Sequence, residues 1–235
     1  MKNPFVQKIK ESFQLLSNMD GWKIIKLKLT YLRIGALNNL RDAVIQLDKK
    51  NIPGLFIETG CALGGSTIQI GLVKQKERKF KAYDVFGMIP PPSERDDQDI
   101  IERFDTIKEG KSKGIRGDEY YGYKKDLKQV VVNNLATFGL SPDQDNIELV
   151  EGLYENTLRI NEPVAFAHID CDWYDSVMTC LNQIVPHLVP QGILVIDDYY
   201  DWSGCRKAID DYFRDKKSDF TFAEKNSKLI ITKNS

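Results

Sequence analysis

Leu55-Phe-Ile-Glu58-Thr-Gly60-Cys-Ala-Leu-Gly64-Gly65-Ser66 is the stretch that decides the fold. Three consecutive apolar residues, placed just after the breaker Asn51-Ile-Pro-Gly54, read as a short core strand. The glycines let the backbone turn sharply and approach a ligand closely. Gly64 to Val73 reads as a helix whose N-terminal N–H groups point at the same cleft. Strand, glycine turn and helix in that order open an α/β unit, although a tight βα connection without any ligand has the same spelling.

The rest of the chain repeats the pattern. Phe80 to Tyr83 reads as a strand, Leu127 to Phe138 as a helix and Ile147 to Val150 as a strand. Val164 to Ile169 and Ile193 to Ile196 are further strands, each followed by a helix, Ser176 to Leu188 and Cys205 to Phe213. Phe220 to Phe222 and Leu229 to Ile231 close the series as an antiparallel pair. Solidly apolar strands alternating with helices imply a mostly parallel, Rossmann-like sheet of seven strands, with helices on both faces and an antiparallel C-terminal edge. Upstream, residues 5–17 and 30–49 carry apolar positions at helical spacing, so residues 1–50 read as a helical cap and 51–235 as the main domain. Gly87 to Tyr123 shows no sustained periodicity. A loop that long in a compact domain is usually a lid or binding loop, and Tyr120, Tyr121 and Tyr123 either stack on a ring or pack the lid down.

Bulk properties exclude several classes. The chain has 235 residues, a formal net charge of −1, 42% hydrophobic and 29% charged residues. Interspersed charge offers no nucleic-acid footprint. No stretch reads as a membrane span or a secretory signal. Four cysteines without a CxxC pair, and only two histidines, argue against a disulfide framework or structural zinc site and make the cytoplasm the default compartment.

Acidic residues at strand ends carry the chemistry. Asp84 ends the second strand, 26 residues beyond Glu58, where a carboxylate suits a ribose diol. Glu58 occupies the place of the first glycine in a pyrophosphate-binding GxGxxG turn. An acid there suits a cationic amino or sulfonium group and favours S-adenosylmethionine over NAD. Asp170-Cys-Asp172 and Asp197-Asp198 follow two neighbouring parallel strands, so four carboxylates converge on one sheet edge. Their repulsion calls for a hard divalent cation, of which Mg²⁺ is the usual choice. The competing roles are helix caps: Asp172 or Asp175 before the helix at Ser176, Asp201 or Ser203 before the last one. His168 reads as a core or helix-facing residue, and His187 as a helix-end dipole partner.

Taken together, Pro53–Ser66, Tyr83–Gly87, Val150–Leu158, His168–Ser176, Gly192–Tyr199 and Cys205–Asp211 resemble the macrocin O-methyltransferase family, in the family's order and over roughly residues 50–213. The resemblance implies a class I methyltransferase fold and a Mg²⁺-dependent transfer of methyl from S-adenosylmethionine to a hydroxyl of a sugar or glycosylated natural product. It implies that Glu58, Thr59, Gly60, Gly64, Gly65 and Ser66 face the methionine part of the cofactor, with Asp170 beside it. It puts Asp84 on the ribose and Gly152-Leu153 near the adenine. It implies Mg²⁺ on Asp170, Asp197 and Asp198, and leaves Asp170 or Asp172 as the catalytic base. Gly35-Ala36 and Asp84-Val85 depart from the family pattern and bear on the acceptor and lid contacts. A catechol- or phenol-type acceptor would use the same metal. An NAD-dependent oxidoreductase or epimerase lacks its GxGxxG and Tyr-xxx-Lys signatures here, and a non-catalytic partner subunit would have no need of the aspartate pair. The N-terminal helices are candidates either to cover the site or to form a homo-oligomer contact.

Overall fold

The computed structural model describes residues 18–235; the helix expected over 5–17 lies outside them. Seven strands form one sheet in the order β3-β2-β1-β4-β5-β7-β6. They are β1 (Leu55–Thr59), β2 (Phe80–Asp84), β3 (Ile147–Glu151), β4 (Val164–Ile169), β5 (Leu188–Ile196), β6 (Phe220–Lys225) and β7 (Lys228–Lys233). The first five pair in parallel, and β7 pairs antiparallel with both β5 and β6. The expected mostly parallel sheet with an antiparallel edge is therefore present. Strand order reverses between β1 and β4, so a crevice opens beyond their carboxyl ends.

Helices cover both faces. On one side lie α1 (Met19–Lys26), α2 (Ile34–Lys49), α3 (Gly65–Val73) and α5 (Leu127–Thr137), with Leu37, Val44, Ile68 and Val131 fully buried against Phe56 and Phe166. On the other lie α7 (Tyr174–Ile184) and α8 (Ser203–Phe213), packed on Ile57, Ala167 and Leu194. β1 and β4 are buried along their whole lengths, as strands covered on both faces must be.

Three local expectations change. The helix read from residue 30 begins at Ile34, and α1 precedes it unannounced. Its N-cap Asn18 accepts from Gly21 N at 2.9 Å and donates to Asn38 and Gln69 at 2.8 and 2.7 Å, a buried polar knot joining α1, α2 and α3. The segment 87–123 is not without structure: it contains α4 (Gln98–Lys108) and two single 3-10 turns. Only Ile100 and Ile107 of α4 are buried, too sparse an apolar stripe to stand out among its charges. The helix read to Leu188 ends at Ile184, where Pro186 forces a 3-10 turn ending at His187 and β5 starts at once. A single-turn helix, α6 (Tyr154–Thr157), follows β3.

Candidate active site

The sheet's carboxyl edge is cut by a cavity of about 290 Å³. The turn after β1 forms one wall. Gly60 adopts φ +88°, and a Cβ there would stand 1.8 Å from the Asp170 carbonyl oxygen. Only glycine permits that approach. It brings the β1 and β4 ends together, with Asp170 N donating to Thr59 O at 2.9 Å. At Gly65 a Cβ would lie 2.4 Å from Leu29 O, so the residues before α2 close over the start of α3. Asp84 stiffens this wall: Oδ2 accepts from Cys61 N and Ala62 N at 2.8 and 3.1 Å, and Oδ1 from Phe86 N at 2.8 Å. Burial raises the Asp84 pKa, and these three backbone donors oppose the shift.

Gly60, Ser66, Asp84, Leu153, Asp170, Asp172, Asp197 and Asp198 line the cavity. Glu58, Thr59, Gly64, Gly65 and Gly152 lie behind it. Glu58 is fully buried; Thr67 Oγ1 donates to its Oε2 at 2.5 Å, and His168 Nδ1 stands 3.0 Å from its Oε1. His168, on the neighbouring strand β4, thus has the core position expected of it, with a carboxylate partner that sequence spacing did not announce. Burial pushes the His168 pKa down, but the Glu58 hydrogen bond and nearby acid charges outweigh it and leave the pKa raised.

Carboxylate oxygens of Asp170, Asp172 and Asp198 lie within 4.8 Å of one another. Burial first, then mutual repulsion, holds the Asp170 and Asp198 carboxyls well above the usual range. Burial lifts Asp172 to about 6, with hydrogen bonding to Asp198 and the Arg103 charge holding it down. Asp197 stands apart, its Oδ2 held by Lys228 Nζ at 2.9 Å. Two buried acceptors, Asp197 Oδ1 and Asp198 Oδ2, have no partner among the described residues. A buried carboxylate oxygen without a donor costs free energy. A hard cation with oxygen ligands is what such a donor set fits.

The expected caps are elsewhere. Neither Asp172 nor Asp175 caps α7; Asp96, from the segment before α4, accepts from Tyr174 N at 2.7 Å. Neither Asp201 nor Ser203 caps α8; Asp99 of α4 accepts from Ser203 N and Oγ at 3.1 and 2.5 Å. The segment over the cavity therefore supplies both caps, which frees Asp172 for the cluster. Within that segment the tyrosines divide. Tyr123 packs, donating to Ile107 O at 2.6 Å, whereas Tyr120 and Tyr121 line the cavity with ring centroids 4.4 Å apart. Sequence reading missed Arg103, Tyr31, Tyr154, Trp173 and Trp202 on the cavity wall. The two tryptophans lie within five residues of the strand-end acids, a proximity that was available as a signal.

A Rossmann-like seven-stranded sheet with an antiparallel edge and a ligand crevice at the switch point is the class I methyltransferase architecture. The O-methyltransferase NovP superposes with a TM-score of 0.73 at 20% identity, covering 88% of this chain and 82% of that one. The calicheamicin methyltransferase CalS11 gives 0.64 at 14% identity, covering 99% and 94%. Residues 20–221 match the macrocin O-methyltransferase family, and the chain belongs to it. It is an S-adenosylmethionine-dependent O-methyltransferase. Curated relatives include the 8-demethyl-8-(2,3-dimethoxy-alpha-L-rhamnosyl)-tetracenomycin-C 4'-O-methyltransferase of Streptomyces olivaceus, 28% identical over 189 residues, covering 78% of this chain and 67% of that protein. The mycinamicin III 3''-O-methyltransferase of Micromonospora griseorubida is 28% identical over 192 residues, covering 78% and 69%. No helix of the described residues is long and apolar enough to cross a membrane.

Proposed function

We propose that this chain is a Mg²⁺-dependent enzyme that methylates a hydroxyl of a sugar or glycosylated natural product. The observation that carries the reading is the meeting, in one cavity, of the glycine-rich wall, a carboxylate cluster and two orphaned buried oxygens, one on Asp198 of the cluster and one on its neighbour Asp197. Glycoside-methylating relatives support the acceptor class.

In this reading Gly60 and Ser66 receive the methionine part of S-adenosylmethionine, and Thr59, Gly64 and Gly65 set the turn's course. Glu58 acts from behind, with its carboxylate engaged by Thr67 and His168. Asp84 has lone pairs left for a ribose after its three backbone bonds, and Gly152-Leu153 border the adenine. Asp170, Asp197 and Asp198 hold the cation, Asp197 through the oxygen that Lys228 leaves free. When bound, a divalent cation lowers the pKa of an acceptor hydroxyl and fixes its position. Asp172 takes the hydroxyl proton on its carboxylate. Its carboxylate oxygen lies within 4.8 Å of those of Asp170 and Asp198, beside the hydroxyl that the cation would position. Asp170 is the alternative acceptor of that proton. The segment 87–123 excludes water from above.

Calorimetric titration of the full chain with S-adenosylmethionine, with and without Mg²⁺, tests the reading. Saturable binding is expected. The absence of cofactor binding would sink it, and methylation by an Asp197→Ala, Asp198→Ala double variant without added metal would remove the cation from it.

A further inference from the structure

Arg103 projects from α4 onto the cavity wall and is the only Lys, Arg or His among the described residues that line it. Its one side-chain hydrogen bond among the described residues runs from Nη1 to Ser112 Oγ at 2.9 Å. Its guanidinium lies over the Tyr120 ring, 5.5 Å from the centroid. It forms no ion pair among the described residues, although many other cations of this chain do. A guanidinium pinned at one nitrogen and supported on an aromatic face presents its other donors in a fixed fork.

Most acids of the same wall have other partners, and Arg103 acts on Asp172 through its charge alone, without an ion pair. Asp84 is held by three backbone N–H groups. Asp197 is paired with Lys228. Asp170, Asp172 and Asp198 crowd one another, their carboxylate oxygens within 4.8 Å. Glu155 is solvent-exposed. Arg103 is thus the one cationic side chain among the described lining residues, and it is carried by the segment 87–123 over the cavity.

We infer that Arg103 is a specificity-determining residue that receives an anionic oxygen group, phosphate or carboxylate, of the acceptor. The acceptor is then an acidic glycoside or a nucleoside diphosphate sugar rather than a neutral one. Arg is suited to this because its paired N–H donors match both groups in bidentate fashion. The inference rests on the sugar-methyltransferase reading and narrows its substrate class. Tyr120 and Tyr121, beside Arg103, would then flank the group attached to the sugar.

The test is calorimetric titration of the full chain, saturated with S-adenosylhomocysteine and Mg²⁺, using two matched pairs. Thymidine diphosphate rhamnose against methyl rhamnoside probes a diphosphate. Methyl glucuronoside against methyl glucoside probes a carboxylate. For one pair the anionic member should bind at least tenfold tighter. Arg103→Met should abolish that preference and Arg103→Lys should keep part of it. The Kd for S-adenosylhomocysteine should stay within twofold in both variants, which also shows that they fold. Three results overturn the inference: no preference in either pair, a preference that survives Arg103→Met, or a parallel loss of S-adenosylhomocysteine affinity, which would give the guanidinium to the cofactor's carboxylate. If the wild-type chain fails to bind S-adenosylhomocysteine at all, the proposed function falls first, and the two failures are thereby distinct.

Discussion

Glu58 and His168 face each other across two strands that are buried on both sides. Neither is exposed, and Thr67 completes the set from α3. Removing the carboxylate leaves an imidazole and a hydroxyl without their partner in the middle of the sheet. Breaking one member of a buried ionic pair costs about 3–5 kcal/mol. Glu58→Ala should therefore lose about that much stability in urea denaturation, and a loss below about 1 kcal/mol would show that the pair is neutral and replaceable. The acids at the strand ends were legible in the sequence because each directly follows an apolar run that has to be a strand. Lys228 and Arg103 were not. Both come from elements far along the chain, Lys228 to pair with Asp197 and Arg103 to line the cavity, and nothing in their own neighbourhood marks them. On spacing alone Asp172 reads as base or as helix cap; Asp96, whose place over α7 depends on the tertiary fold, takes the capping hydrogen bond instead.

At the scale of elements, the mostly parallel sheet was legible because parallel strands buried on both faces have an unmistakable composition. Helix α4 was not, since only two of its residues are buried. Its stability comes instead from what it touches. Asp99 accepts two hydrogen bonds from Ser203 at the start of α8, and Trp173 Nε1 donates to Pro90 O at 2.8 Å. Burial pushes the Asp99 pKa up, but the Ser203 hydrogen bonds outweigh it and hold it below the usual value. A carboxyl with a lowered folded pKa contributes stability above its unfolded pKa and loses it as pH falls through the folded one. Asp99→Ala should cost about 1 kcal/mol near neutral pH, as a lost helix cap does. The gap to the wild type should narrow between neutral pH and about pH 3, below the unfolded carboxyl value. Urea melts at the two pH values check this, and a pH-independent gap would refute the linkage.

At the scale of the whole molecule, the acid cluster is a fault line. Three carboxylates crowd one end of the sheet, two of them raised far from their ordinary pKa by burial and one another. A cation bound only by the folded state stabilises it by about 2.7 kcal/mol at a hundred times its Kd. For a chain of this size that is a rise in Tm of roughly 5–10 °C. Thermal melts with added Mg²⁺ should show it in the wild type and not in Asp198→Asn. An equal rise in both would place the cation elsewhere.

The antiparallel edge has a further consequence for how the protein is made. Lys228, which holds Asp197, follows it by 31 residues on β7, and β7 inserts between β5 and β6. A growing chain emerges from the ribosome with β5 complete, its outer edge unpaired and Asp197 lacking its counter-charge. Only when the β6–β7 hairpin has been synthesised and docked, Asn226 donating to Gly35 O at 2.8 Å, does Asp197 gain that partner. The carboxyl end of the sheet is thus incomplete until that hairpin has docked, and a nascent chain stalled before it would present an open sheet edge to chaperones.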